Sequence, residues 1–237
     1  MGVINIRYRF HLGTDEEERF DLHMDEHSLE LITPQDQQPP KWTNLLFHQC
    51  PHCPLNTDEY PACPVAANIS HVIGRFDKVI SYDEIDLEVT TNARKVSQHT
   101  TAQKGISSLL GLLFATSGCP HTNYMKPMAR FHLPLATGED TIFRAAGMYL
   151  LAQYFLQREG REGDLKLTGL SEIYQNLHIV NASIAERIKS IALTDSSINA
   201  VIILDTFTNI MPFVIEDHLD ELRHLFLAYL SDKKPGE

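Results

Sequence analysis

Residues 4–12 read INIRYRFHL, and their alternation decides the fold. Ile4, Ile6, Tyr8, Phe10 and Leu12 are apolar at a period of two, with Asn5, Arg7, Arg9 and His11 between them. Successive side chains of a strand point to opposite faces, so the pattern predicts a strand with one buried and one solvated face. Beyond Gly13-Thr14-Asp15 and the acidic run 16–18, Phe20, Leu22 and Met24 alternate again, and Leu29 with Leu31 suggests a third strand. The acidic run reads as a solvated hairpin tip. Together these segments predict a small antiparallel meander whose apolar face needs cover. Ile85, Leu87 and Val89 alternate like one more strand able to join it.

The remaining pattern is mostly helical. Residues 33–44, TPQDQQPPKWTN, form a connector rich in Pro and Gln. A helix is expected from Pro64, a favoured first-turn residue, through Val65, Ile69, Val72, Ile73 and Phe76. From Thr101 onward the chain reads as helix, and residues 105–116 are nearly all apolar or small, as in a helix buried on most sides. A second helix covers 141–158, a polar loop 158–164, and a third helix about 167–193. In that third helix Leu170, Leu177, Ile184 and Ile191 recur every seven residues beside Ile173, Val180 and Ile188. This is a bundle seam that fits packing within the chain or against another copy. The last helical region runs from Asp195, a capping residue, to Leu230, with a bend or break at Pro212. The predicted class is α+β: a β-meander over 1–32, a cysteine-bearing middle with helices and a strand over 33–135, and a helical bundle over 136–232, as separate parts or one compact domain.

With 237 residues, 43% of them hydrophobic, the chain can bury a sizeable core. A net charge of -11 gives no long-range attraction for phosphates, so neither a nucleic-acid partner nor an anionic membrane is expected. The first ten residues hold no continuous apolar stretch, so no secretory signal is expected. The longest apolar run, 198–215, is interrupted by Asp205, Thr206, Thr208, Asn209 and Pro212, which argues against a membrane span. A cytoplasmic protein is the expectation. Thiols stay reduced there, so the four cysteines point to metal binding or redox chemistry rather than disulfides.

Each of the four, Cys50, Cys53, Cys63 and Cys119, is followed by proline. Three lie within fourteen residues in a proline-stiffened loop, and the fourth follows the apolar helix, where folding could return it to the others. Four thiolates complete a metal coordination shell. Cys50-Pro51-His52-Cys53 is also spelled like a thiol–disulfide centre, but such a centre needs a helix running on past its second cysteine. Pro54 and Pro61 argue against that helix. The bland alternative takes Cys63 and Cys119 as small buried hydrophobes. Zinc knuckles favour glycine where Pro54 stands, whereas Cys-Pro is frequent at iron–sulfur clusters. The expected cofactor is therefore an iron–sulfur cluster for electron transfer or redox sensing, with zinc in a protein-interaction module as the alternative. His48, His52 and His121 flank the cysteines as substitute ligands or as donors to metal-bound sulfur.

The wording CPHCP, CPVA, TTAQ, SGCPH and KPMARFHLP resembles an uncharacterised bacterial protein family of unknown function. That resemblance implies no activity, substrate or ligand. Glu221-Leu-Arg-His224 spells E-x-x-H, as in di-iron bundles, but no second copy exists and a charged helix face is the simpler reading. Asp205 among apolar neighbours calls for solvent or for a partner such as Arg144 or Lys126. Lys126, Arg130 and His132 follow Cys119 and offer positive charge near the proposed site. Phosphate-loop, dinucleotide and nucleophile-elbow motifs are absent. A protein partner, or a homo-oligomer through the helical region, is expected.

Overall fold

In a computed structural model of the chain, residues 2–13, 16–32, 39–192, 195–217 and 219–231 are described. Four strands, β1 (Val3–His11), β2 (Glu17–Asp25), β3 (Glu84–Thr91) and β4 (Lys95–Thr101), form one antiparallel sheet in the order β2-β1-β3-β4. Helices α1 (Pro64–Ile73), α2 (Ala102–Ala115), α3 (Lys126–Arg130), α4 (Gly138–Arg158), α5 (Thr168–Lys189), α6 (Ser196–Asp217) and α7 (Leu227–Leu230) supply the rest, so the class is α+β. Contacts divide the chain into two units, Met1–Leu135 with Asn176–Thr206, and Ala136–Gln175 with Phe207–Glu237.

The period-two pattern of residues 4–12 produces the expected one-sided sheet. Tyr8 pairs with Phe20 on one side and Val89 on the other. Ile6, Tyr8, Phe10, Phe20, Leu22, Met24, Ile85, Leu87 and Val89 are all buried. The opposite face carries Arg7 with Asp21, and Arg9 and Lys95 with Glu88. The apolar face is covered by α1 and α2, through Val65, Ile69 and Val72 and through Ile106, Leu109 and Leu113. Phe10 stands edge-on to Phe20 and to Phe76, with ring centroids 5.8 and 5.0 Å apart. Each such buried ring stabilises by roughly 1.5–3 kcal/mol. Gly105 lets α2 approach closely, since a Cβ there would lie 3.0 Å from both Ile85 and Phe10.

Three local expectations are corrected. The third strand at Leu29 and Leu31 is one isolated bridge, Met24 to Leu31, because a turn intervenes. The Asp25 carboxylate accepts from the amides of His27 and Ser28, and Leu29 takes φ 56°. Residues 95–101, where no element is expected before the helix from Thr101, form the edge strand β4. Of the bend or break expected at Pro212, the break is absent: α6 runs through Pro212 to Asp217, and a 3-10 stretch follows at Leu219–Phe226. The expected tip at Thr14 and Asp15, and residues 33–38 of the connector, lie outside the described residues.

Candidate functional site

The cysteine loop begins with a 3-10 turn, Lys41–Thr43, and closes at α1. An isolated bridge joins Asn44 to Ala62, and the Cys63 amide donates to the Thr43 carbonyl at 2.7 Å. These ties bring the two ends of the loop together. Cys63 is the N-cap of α1, with Pro64 at the first helical position as anticipated. Inside the loop the Cys53 amide donates to the Cys50 carbonyl at 3.0 Å, closing a single turn. The residues after Cys53 are turns and not a helix.

Cys119 arrives from the end of α2. Thr116 and Ser117 stop that helix by hydrogen bonds to Leu112 and Phe114, and Gly118 at φ 82° turns the chain. Cys119 is buried, whereas Cys50, Cys53 and Cys63 are half-buried, and all four are free thiols. Cys119 lies close enough to Cys63 and Cys50 for their charges to act on it, and Cys50 is acted on by Cys63 and Cys53. The sequence-distant cysteine thus comes within charge range of Cys50 and Cys63, two of the other three.

Burial pushes the Cys119 thiol up to about 11, while the backbone amides of His121 and Thr122, directed at its sulfur, favour the thiolate. Burial likewise raises Cys50, against the Ser183 hydroxyl beside it. Among the described residues, no group of three or more His, Cys, Asp and Glu side chains is drawn into a shell that could already hold a metal ion.

Arg187 is the residue that sequence reasoning missed. It sits on α5, 1% exposed, and its guanidinium donates to the carbonyls of Trp42, Asn44 and Leu45 at 2.9, 2.8 and 2.9 Å. No carboxylate pairs with it among the described residues, and the titratable groups within charge range of it are the thiols of Cys63, Cys50 and Cys53. Its one sequence signal is a charge next to Ile188 on the apolar seam of α5.

The flanking histidines divide. His52 and His121 stack with ring centroids 3.9 Å apart. His121 Nε2 donates to the His52 carbonyl at 3.0 Å, and His52 Nε2 donates to the Asn176 carbonyl at 3.2 Å. His52 Nδ1 is thereby left as a buried acceptor with no hydrogen-bond partner among the described residues. Burial first, and then the facing His121, hold His52 below the ordinary imidazole value. His48 is exposed and lies edge-on to Phe47.

Other sequence candidates are used elsewhere. Lys126 pairs with Glu30 at 3.0 Å, His132 shares a hydrogen bond with the buried Tyr8 hydroxyl, and Arg130 lies over Phe131. Asp205 meets His178 at 2.7 Å, a partner the sequence did not suggest. In the E-x-x-H stretch His224 donates to the Glu221 carbonyl at 2.7 Å.

Among the described residues, no helix is long and apolar enough to cross a membrane. No curated protein and no solved structure matches the chain. A family model does, over residues 6–227: the chain belongs to the family described as a domain of unknown function, DUF6901.

Proposed function

We propose that Cys50, Cys53, Cys63 and Cys119 hold an iron–sulfur cluster used for electron transfer or redox sensing. The observation that carries this reading is that Cys119 lies within charge range of Cys50 and Cys63, near Arg187, a buried cation without a carboxylate partner among the described residues. A buried guanidinium costs several kcal/mol in desolvation unless an anion compensates it. Four thiolates around a divalent ion or a cluster leave net negative charge, and Arg187 stands where it offsets that charge. A bound cation also reverses the raised thiol values, because metal displaces the thiol protons. The cluster would supply one-electron chemistry. The chain's own part is ligation by the cysteines, hydrogen bonding to sulfur from the amides of His121 and Thr122, and exclusion of water by the core around Cys119. His52 Nδ1 is the imidazole donor free to replace a thiolate. A cytoplasmic setting keeps such thiols reduced, and the net charge of -11 suits no nucleic-acid partner.

Zinc as a structural staple is the second reading. It is favoured by the sparse regular structure of residues 44–62, where a cross-link would replace missing hydrogen bonds. The thiol–disulfide reading gains no support, because the Cys50 thiol is raised by burial and the residues directly after Cys53 are turns and not a helix.

The test is anaerobic purification followed by iron, acid-labile sulfide and zinc analysis with a visible spectrum. Iron with sulfide and a brown protein supports the cluster, and a colourless zinc protein supports the staple. Protein holding neither overturns both readings.

A further inference from the structure

We propose that the chain self-associates through the outer face of α4, in a part of the molecule that does not involve the cysteines. One side of this helix packs inward through Ala145, Ala146 and Gln153. The other side carries Phe143, Leu150, Leu151, Tyr154 and Phe155, which are 40–54% exposed. At 100° per residue these five fall within one stripe, with Gly147 in its middle. At 150–250 Å² for a whole aromatic side chain, the stripe exposes on the order of 500 Å² of apolar surface. Phe226, with its ring centroid 6.4 Å from Phe143, extends the patch to the exposed Tyr229 and Leu230, which contribute roughly 300 Å² more. The sum exceeds the 300–600 Å² typical of a monomer's largest patch and reaches the roughly 800 Å² per partner of a stable interface.

The occupant that fits is a second copy of this chain, because the stripe is complementary to itself. Bulky side chains flank one small residue, and a Cβ added at Gly147 would meet nothing within 4 Å. Glycine inside a helix costs about 0.5–1 kcal/mol relative to alanine, and among the described residues nothing occupies the space it leaves. An antiparallel approach about a two-fold axis near Tyr149 sets Leu151 over the partner's Gly147 and Phe143 against the partner's Phe155. Such a patch makes the closed, isologous contact of a two-fold dimer.

The experiment is sedimentation equilibrium of the full chain from about 1 to 100 μM, a range set by ordinary interface affinities. Twice the 26.9 kDa chain mass is expected. Leu151→Glu and Gly147→Trp raise the dissociation constant at least 100-fold with unchanged circular dichroism, because both positions are open in the monomer. Ala152→Glu, exposed but outside the stripe, leaves the dimer intact. A wild-type monomer throughout the range, or a dimer indifferent to Leu151→Glu and Gly147→Trp, overturns the proposal. Metal analysis of the same samples keeps this result separate from the cluster reading.

Discussion

Replacing Arg187 by methionine keeps an unbranched apolar stem and removes the guanidinium that holds three carbonyls of the cysteine loop. Each charge-assisted hydrogen bond contributes about 1.5–3 kcal/mol, and the several kcal/mol needed to bury the guanidinium oppose their sum. The net loss expected for Arg187→Met is about 3–5 kcal/mol, because Trp42, Asn44 and Leu45 then present buried carbonyls with a donor gone. For a chain of this length each kcal/mol moves the melting temperature by about 2–4 °C, so a fall on the order of 10 °C is expected. Thermal and urea unfolding, followed by circular dichroism, measure it. The loss should be larger for metal-loaded than for metal-free protein, since only the loaded site gathers thiolate charge at Arg187. A loss under about 1 kcal/mol, the cost of an ordinary single hydrogen bond, or equal losses in the two states, would refute the reasoning.

Other outcomes follow from the packing and from single hydrogen-bonded groups. Gly105→Val forces a side chain onto Ile85 and Phe10, already 3.0 Å from an added Cβ, and should destabilise by about 2–3 kcal/mol in urea unfolding. No change would mean that α2 does not lie so close to the sheet. The Asp164 carboxylate accepts from the amides of Gly169 and Lys166 and from the Tyr149 hydroxyl, each at 2.9 Å, and these bonds, Gly169 first, hold it below the usual carboxylate value. Its folded value is depressed, so its stabilisation is present above the ordinary value near 4 and is lost as pH falls through the folded one. Asp164→Asn should therefore be less stable than wild type at neutral pH, with the difference shrinking in acid. A difference that grows on acidification would contradict the assignment.

Much of this fold is written in periodicity. The alternation marks Ile6, Tyr8 and Phe10, which the structure buries, with Ile4 and Leu12 partly buried at its ends. The seven-residue recurrence marks the buried Leu170, Leu177 and Ile184, whereas its expected fourth member, Ile191, lies past the end of α5 and is exposed. Strand β4 escaped because KVSQHTT has one aliphatic residue, Val96, and as an edge strand it is largely exposed. Its pairing, Val96 opposite Val89, is a property of the sheet and not of its own composition. The cysteines stood out because each precedes a proline, a pattern visible without coordinates. Arg187 did not, since its partners are main-chain carbonyls more than a hundred residues away, and any residue type supplies a carbonyl. The His52 and His121 stack was equally hidden: both lay beside cysteines, but only folding decides that these two meet and that His48 faces solvent.

X-ray absorption at the edge of the bound metal, recorded for wild type and for Cys119→Ser, bears most directly on the convergence of four sulfurs. A first shell made only of sulfur is expected for wild type, with iron–iron scattering for a cluster or sulfur at about 2.3 Å for zinc. Cys119→Ser should gain an oxygen ligand or lose the metal. A shell of nitrogen and oxygen, or a spectrum that Cys119→Ser leaves unaltered, would contradict the account.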